Sequence, residues 1–128
     1  MNNHPRVVVI AEAGVNHNGN FDRAKSLIDA AADIGADIVK FQAFKAENMV
    51  TQNALKAGYQ RKQIGSEVSQ YQMLKDLELS GDAHKALAEY CQIRNIEFMS
   101  TPFDIESANM LANLGLPRFK IASGEITN

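Results

Sequence analysis

Continuous apolar runs alternate with stretches of helical length along this chain, and that alternation limits its possible folds more than any single residue does. Arg6 to Ala11 reads RVVVIA, a β-branched run with no polar partner positions, as suits a strand buried on both faces. After the turn-forming Asn16-His17-Asn18-Gly19, apolar Phe21, Ala24, Leu27, Ile28, Ala31 and Ala32 fall on one helical face, opposite Asp22, Arg23, Lys25 and Asp29. Gly35 closes that helix. A second strand is expected at Asp37 to Phe41. The stretch from Gln42 to about Ser69 has no sustained period and is rich in Gln, Lys and Asn, so it reads as a long functional loop. A short helix is expected over Gln70 to Glu78, and another from the cap Ser80-Gly81-Asp82 to Arg94. Glu97 to Ser100 reads as a third strand. Pro102 and Asp104 open a helix with the stripe Ile105, Ala108, Leu111 and Ala112, ended by Gly115 and Pro117. Arg118 to Ala122 (RFKIA) reads as a fourth strand.

The order is βαβαβαβ, four strands with three intervening helical layers, the pattern of an α/β fold with a parallel sheet. A complete (β/α)8 barrel needs roughly 250 residues, so 128 residues suffice for about half of one, β1 to β4. An open four-stranded sheet is the alternative, with two edges to protect. Either places its ligand face at the carboxyl ends of the strands. At 45% hydrophobic the chain can build one core, and no repeat, linker or low-complexity tract divides it.

A net charge of −2 supplies no basic field for nucleic acid or an anionic membrane, so an anionic ligand must be held by a few placed cations. Cys91 is the single cysteine, which excludes an internal disulfide; its helical setting suits a small core residue, and a reducing cytoplasm fits. The run Val7 to Ala11 is too short for a membrane span or signal peptide.

Polar strand residues cluster toward the ligand end. Lys40 and Gln42 share one face of the second strand, and Lys120 and Ala122 one face of the fourth. A buried ammonium needs an anion. The lysines either pair with Glu12 and Glu125 or, with the Thr101 and Ser123 hydroxyls nearby, hold a phosphate or carboxylate ligand. Glu12, following the VVVIA run, could hold a metal, act as a base, orient a lysine or cap the next loop. His17 is a turn residue first and a metal ligand second; His4 and His84 carry no assigned role. Ser123-Gly124-Glu125 reads as a tight turn that lets donors approach an anion, or as an ordinary strand-ending loop.

IAEAGVNHNG at Ile10 to Gly19, VKFQAFKAENMV at Val39 to Val50, MSTPFD at Met99 to Asp104 and KIASGEITN at Lys120 to Asn128 together resemble the N-acetylneuraminate (sialic acid) synthase family, which includes legionaminic and pseudaminic acid synthases. The resemblance spans essentially the whole chain and implies a cytoplasmic transferase built on a TIM barrel. C3 of phosphoenolpyruvate attacks the aldehyde of N-acetylmannosamine or a related amino sugar, water adds at C2, and phosphate leaves with C–O cleavage to give a nine-carbon 2-keto acid. It implies that Lys40, Thr101, Lys120 and Ser123 hold phosphoenolpyruvate, that Gln42 and Glu125 line the same pocket, and that Glu12 lies near the aldehyde; of these, Glu12, Lys40, Lys120 and Glu125 are the catalytic candidates. It further implies Mn2+ or Mg2+ as Lewis acid, held by histidines of later strands, an antifreeze-like C-terminal domain, and a homodimer. These later parts are expected to lie outside residues 1–128, leaving the metal site incomplete. Two other readings are a non-catalytic half-barrel that binds or self-associates through its sheet edges, and another phosphoenolpyruvate-using or aldol barrel, which the NHNG and KFQAFKAEN segments disfavour. The Gln52 to Gln72 stretch, with Tyr59, Gln60, Arg61 and Lys62, resembles the sialic and legionaminic branches.

Overall fold

A computed structural model of the protein describes residues 6–50 and 64–128, the side chains of 64–69 excepted. Three strands, β1 (Ile10–Gly14), β2 (Ile38–Ala43) and β3 (Glu97–Pro102), form a parallel sheet in the order β1-β2-β3. In the register, Glu12 lies beside Lys40, Lys40 beside Met99, and Gln42 beside Thr101. Alternation then puts Glu12, Lys40, Gln42 and Thr101 on one face and Val39, Phe41 and Phe98 on the other.

Among the described residues, two helices pack on the second face, where the core forms. In α1 (Phe21–Asp33) the spacing of Ala24, Ile28 and Ala31 makes a buried stripe. The Asn20 side chain caps its start, accepting from Arg23 N–H at 2.8 Å, and Ala36 N–H returns to the Ala31 carbonyl past Gly35. In α3 (Gly81–Ile93), Ser80 caps the start and His84, Leu87 and Cys91 face inward. Both stripes pack on Ala13, Val39, Phe41 and Phe98, with the Phe41 and Phe98 rings stacked at 5.6 Å. Burial pushes the Cys91 thiol up to about 12, so this cysteine is an inert core residue. Two further helices, α2 (Ile64–Leu77) and α4 (Ile105–Asn113), complete the described elements with a 3-10 turn at Ser123–Glu125. No helix among the described residues is long and apolar enough to cross a membrane.

The structure corrects the expected elements in four places. The first strand begins at Ile10, and Val7, Val8 and Val9 are exposed, because β1 is a sheet edge with no helix over its other face. The second and third strands each run two residues further, to Ala43 and Pro102. The stretch after Gln42 is not one long loop: residues 46–50 are helical and α2 already begins at Ile64, six residues before the expected start. Its low amphipathicity hid it from periodicity. Residues 51–63, and with them most of the Gln52 to Gln72 stretch, lie outside the described residues, as does His4. Finally, Arg118 to Ala122 is not a strand. It is exposed irregular chain tied to β3 by an ion pair from Arg118 Nε to Glu97 Oε1 at 2.7 Å, so the described sheet has three strands.

Candidate functional site

The polar face of the sheet brings together the candidates that come from β1, β2 and β3. Lys40 forms an ion pair with Glu12 across the β1–β2 ladder. The lysine side chain is 15% exposed and the glutamate 50%, so the ammonium has lost most of its water while the carboxylate can still move into solvent. Two residues further toward the carboxyl ends, Gln42 and Thr101 lie side by side. Thr101 is buried and its hydroxyl has no hydrogen-bond partner. A buried hydroxyl left unmatched costs about 1–3 kcal/mol, so this group is suited to an incoming oxygen. Gly14 breaks the β1–β2 register after Glu12 and sits against both Glu12 and Gln42.

The remaining candidates are placed apart from this cluster. Lys120 is exposed and donates to the Ile121 carbonyl at 3.0 Å rather than to Glu125. Its expected projection from a buried strand fails because residues 118–122 join no ladder. Ser123 is exposed at the start of the 3-10 turn, and Glu125 accepts from Asn128 Nδ2 at 2.6 Å. Glu125 lines a cavity of about 300 Å3 with Pro102, Asp104, Ile105, Ala108 and Ile121, between the end of β3 and the start of α4. Thus Lys40 follows the ion-pair alternative and Lys120 neither alternative as written.

Behind the sheet, two histidines form a layer that sequence reading undervalued. His17 is fully buried, its ring 6.1 Å from that of Phe41, and His84 is fully buried 6.3 Å from Phe98. Gly19 N–H donates to His17 Nδ1 at 2.9 Å, which puts the proton of the neutral ring on Nε2. His84 Nδ1 faces the Ser80 carbonyl at 3.0 Å, which requires the opposite tautomer. Burial lowers the pKa of both; the His84 charge adds to the shift of His17, and the Ser80 and Gln42 carbonyls oppose that of His84. Among the described residues no group of three His, Cys, Asp or Glu side chains could hold a metal ion, and the His17 ring is tied into its turn by the bond from Gly19 N–H.

The NeuB family profile matches residues 27–128. This chain belongs to the NeuB family. It is 55% identical over 123 residues to the N,N'-diacetyllegionaminic acid synthase of Campylobacter jejuni, covering 96% of this chain and 37% of that protein. Over 126 residues it is 36% identical to the N-acetylneuraminate-9-phosphate synthase of Mus musculus, 98% and 34% covered. Among solved structures, the N-acetylneuraminic acid (sialic acid) synthetase of Leptospira borgpetersenii, crystallised with citrate, superposes with a TM-score of 0.76 at 35% identity, covering 94% of this chain and 38% of that one. The chain therefore spans little more than a third of the length of the relatives it matches.

Within this NeuB-family chain, two carboxylates hold the strand ends in place. Asp104 accepts from Lys45 N–H through Oδ2 and from Ser107 N–H through Oδ1, both at 2.8 Å, and so joins the exit of β2 to the cap of α4. Glu78 accepts from Ala46 N–H at 3.0 Å and pairs with Lys75 and Lys45. Although burial raises its pKa, the Ala46 bond and these lysines outweigh that and hold it below the usual carboxylate range. The Asp104 cap is visible in sequence as Pro102-Phe103-Asp104; the reach of either carboxylate to residues 45 and 46 is a matter of tertiary structure.

Proposed function

We propose that this chain is the amino-terminal part of a (β/α)8 barrel that condenses phosphoenolpyruvate with an N-acetylated amino sugar, releasing phosphate and forming a nine-carbon 2-keto acid. The observation that carries the proposal is the juxtaposition on one sheet face of the Glu12–Lys40 pair, the Gln42 amide and the buried, unmatched Thr101 hydroxyl. A single hydrophobic face with sequentially ordered parallel strands supports the barrel, since an open doubly wound sheet needs helices on both faces. In this reading Lys40 and Thr101 bind oxygens of phosphoenolpyruvate and Gln42 lines the pocket beside them. Lys120, Ser123 and Glu125 complete it once the segment after α4 is ordered against a further strand. Lys40 supplies fixed positive charge where the departing phosphate gathers negative charge, and Glu12 orients Lys40 beside the sugar aldehyde. The described residues do not by themselves fit the Mn2+ or Mg2+ that the family resemblance implies, because Glu12 is engaged by Lys40 and no group of three His, Cys, Asp or Glu side chains among them could hold a metal ion. Higher identity to the N,N'-diacetyllegionaminic acid synthase of Campylobacter jejuni, 55%, than to the N-acetylneuraminate-9-phosphate synthase of Mus musculus, 36%, favours a sugar bearing two N-acetyl groups.

Calorimetric titration with phosphoenolpyruvate tests the reading. Saturable binding is expected, weakened at least tenfold, or about 1.4 kcal/mol, by Lys40→Ala and also reduced by the isosteric Thr101→Val. Absence of binding by the parent chain, or binding indifferent to both substitutions, overturns it.

A further inference from the structure

We infer that Gly14 is a positioning residue whose missing side chain seats the Glu12 carboxylate against Lys40. The β1–β2 ladder pairs Glu12 with Lys40 and then Gly14, not Ala13, with Phe41, so Ala13 is the extra residue of a β-bulge. Ala13 drops into the core at 3% exposure, and the chain recovers through Gly14 at φ +55°, a conformation costly for a residue with a Cβ. The bulge turns the bare Cα of Gly14 toward the polar face. A Cβ built there would lie 3.1 Å from Glu12 Oε1, 4.0 Å from Glu12 Cδ and 3.7 Å from Gln42 Nε2. Its direction therefore points into the space that the carboxylate occupies, with the Gln42 amide on the other side.

Which group yields to an added methyl follows from exposure. Lys40 is largely enclosed and fixed on the central strand, whereas half of the Glu12 side chain is in water. Glu12 is the group that yields, by a few tenths of an ångström, and its hold on Lys40 in a site poor in solvent is loosened. Gly14 thus acts on the site only through Glu12. Gly35 is a built-in control: it has φ +77° with nothing within 4 Å of its added Cβ, so Gly35→Ala bears the backbone cost alone.

The test compares Gly14→Ala, Glu12→Ala, the double variant and Gly35→Ala. In 1H–15N spectra of the lysine ammonium groups, Gly14→Ala is expected to move the Lys40 signal toward its position in Glu12→Ala, with the double variant matching Glu12→Ala, while Gly35→Ala leaves it in place. If the proposed function holds, Gly14→Ala and Glu12→Ala also change phosphoenolpyruvate affinity in the same direction from the parent. A Gly14→Ala chain that keeps the parent Lys40 signal overturns the inference. Should Gly14→Ala not fold, Gly14→Asn carries the same comparison, since asparagine tolerates left-handed backbone and still brings a Cβ. Because the ammonium signal requires no ligand, failure to bind phosphoenolpyruvate would count against the proposed function and leave this inference to be decided separately.

Discussion

His17 and His84 make folding itself sensitive to pH. Both are buried as neutral rings with pKa values held below 6.5, the value each regains when unfolded. Around them stand each other, the Phe41 and Phe98 rings and, for His84, the Lys45 ammonium, whose charge also disfavours protonation. Above pH 6.5 neither state binds the proton and stability is complete. As pH falls through 6.5 the unfolded chain takes up protons that the folded chain refuses, so stability declines until the lowered folded pKa values are reached. The steepest slope is about 1.4 kcal/mol per pH unit for each histidine. Urea unfolding at pH 7.5 and pH 5.5 is expected to show this loss, and His84→Gln should show a smaller difference between the two pH values. An unchanged difference would assign the effect to other groups. Asn16-His17-Asn18-Gly19 is legible as a turn, because Asn and Gly state a local backbone preference. The burial of His17 depends on how α1 and the sheet close over it, and no local pattern encodes that. His84 is partly legible, since it shares the helical stripe with Leu87 and Cys91.

At the scale of elements, Asp104 connects two strand exits through one carboxylate. It caps α4 through Ser107 and also receives Lys45 N–H, on the loop that leaves β2. Asp104→Ala removes a cap worth about 1 kcal/mol and leaves a part-buried amide unmatched, so a loss of about 2–3 kcal/mol is expected in denaturant unfolding. Asp104→Asn keeps one acceptor oxygen and should fall between, with faster amide exchange at Lys45 as its signature. Equal stability of Asp104→Ala and the parent would show that the cross-link contributes nothing. Helices α1 and α3 are legible because their apolar stripes and their Asn20 and Ser80 neighbourhoods state the same boundaries twice. Arg118 to Ala122 misleads for the complementary reason. Alternating apolar residues say which face a strand would bury, but a ladder also needs a partner backbone, and residues 118–122 join none, being tied to β3 through the Arg118–Glu97 side-chain pair. The site divides along the same line: Glu12, Lys40, Gln42 and Thr101 stand on paired strands and come together, while Lys120 and Ser123 stand on unpaired chain and remain exposed.

For the molecule as a whole, α1 and α3 pack on one face of the sheet, and among the described residues β1 is an edge strand with exposed apolar residues leading into it. Val7, Val8, Val9 and Ile10 leave an apolar run exposed along the β1 edge, with Val7 at 79% exposure, and Ile121 and Ile126 are more than half exposed beyond β3. Adjacent exposed apolar residues on an uncovered edge strand recruit a further strand, whether from the same protein or from another copy. The relatives are about three times as long as this chain, so they have ample length to supply such strands from within. Expressed as 128 residues, the chain is therefore expected to self-associate, with an average mass in sedimentation equilibrium that rises with concentration. Val8→Lys places a charge in the middle of the exposed run and should shift that association to higher concentration without unfolding the helices. A mass that stays at one chain across the concentration range would show that the exposed edge does not recruit a second copy. The edge-mediated binding module would then lose its physical basis.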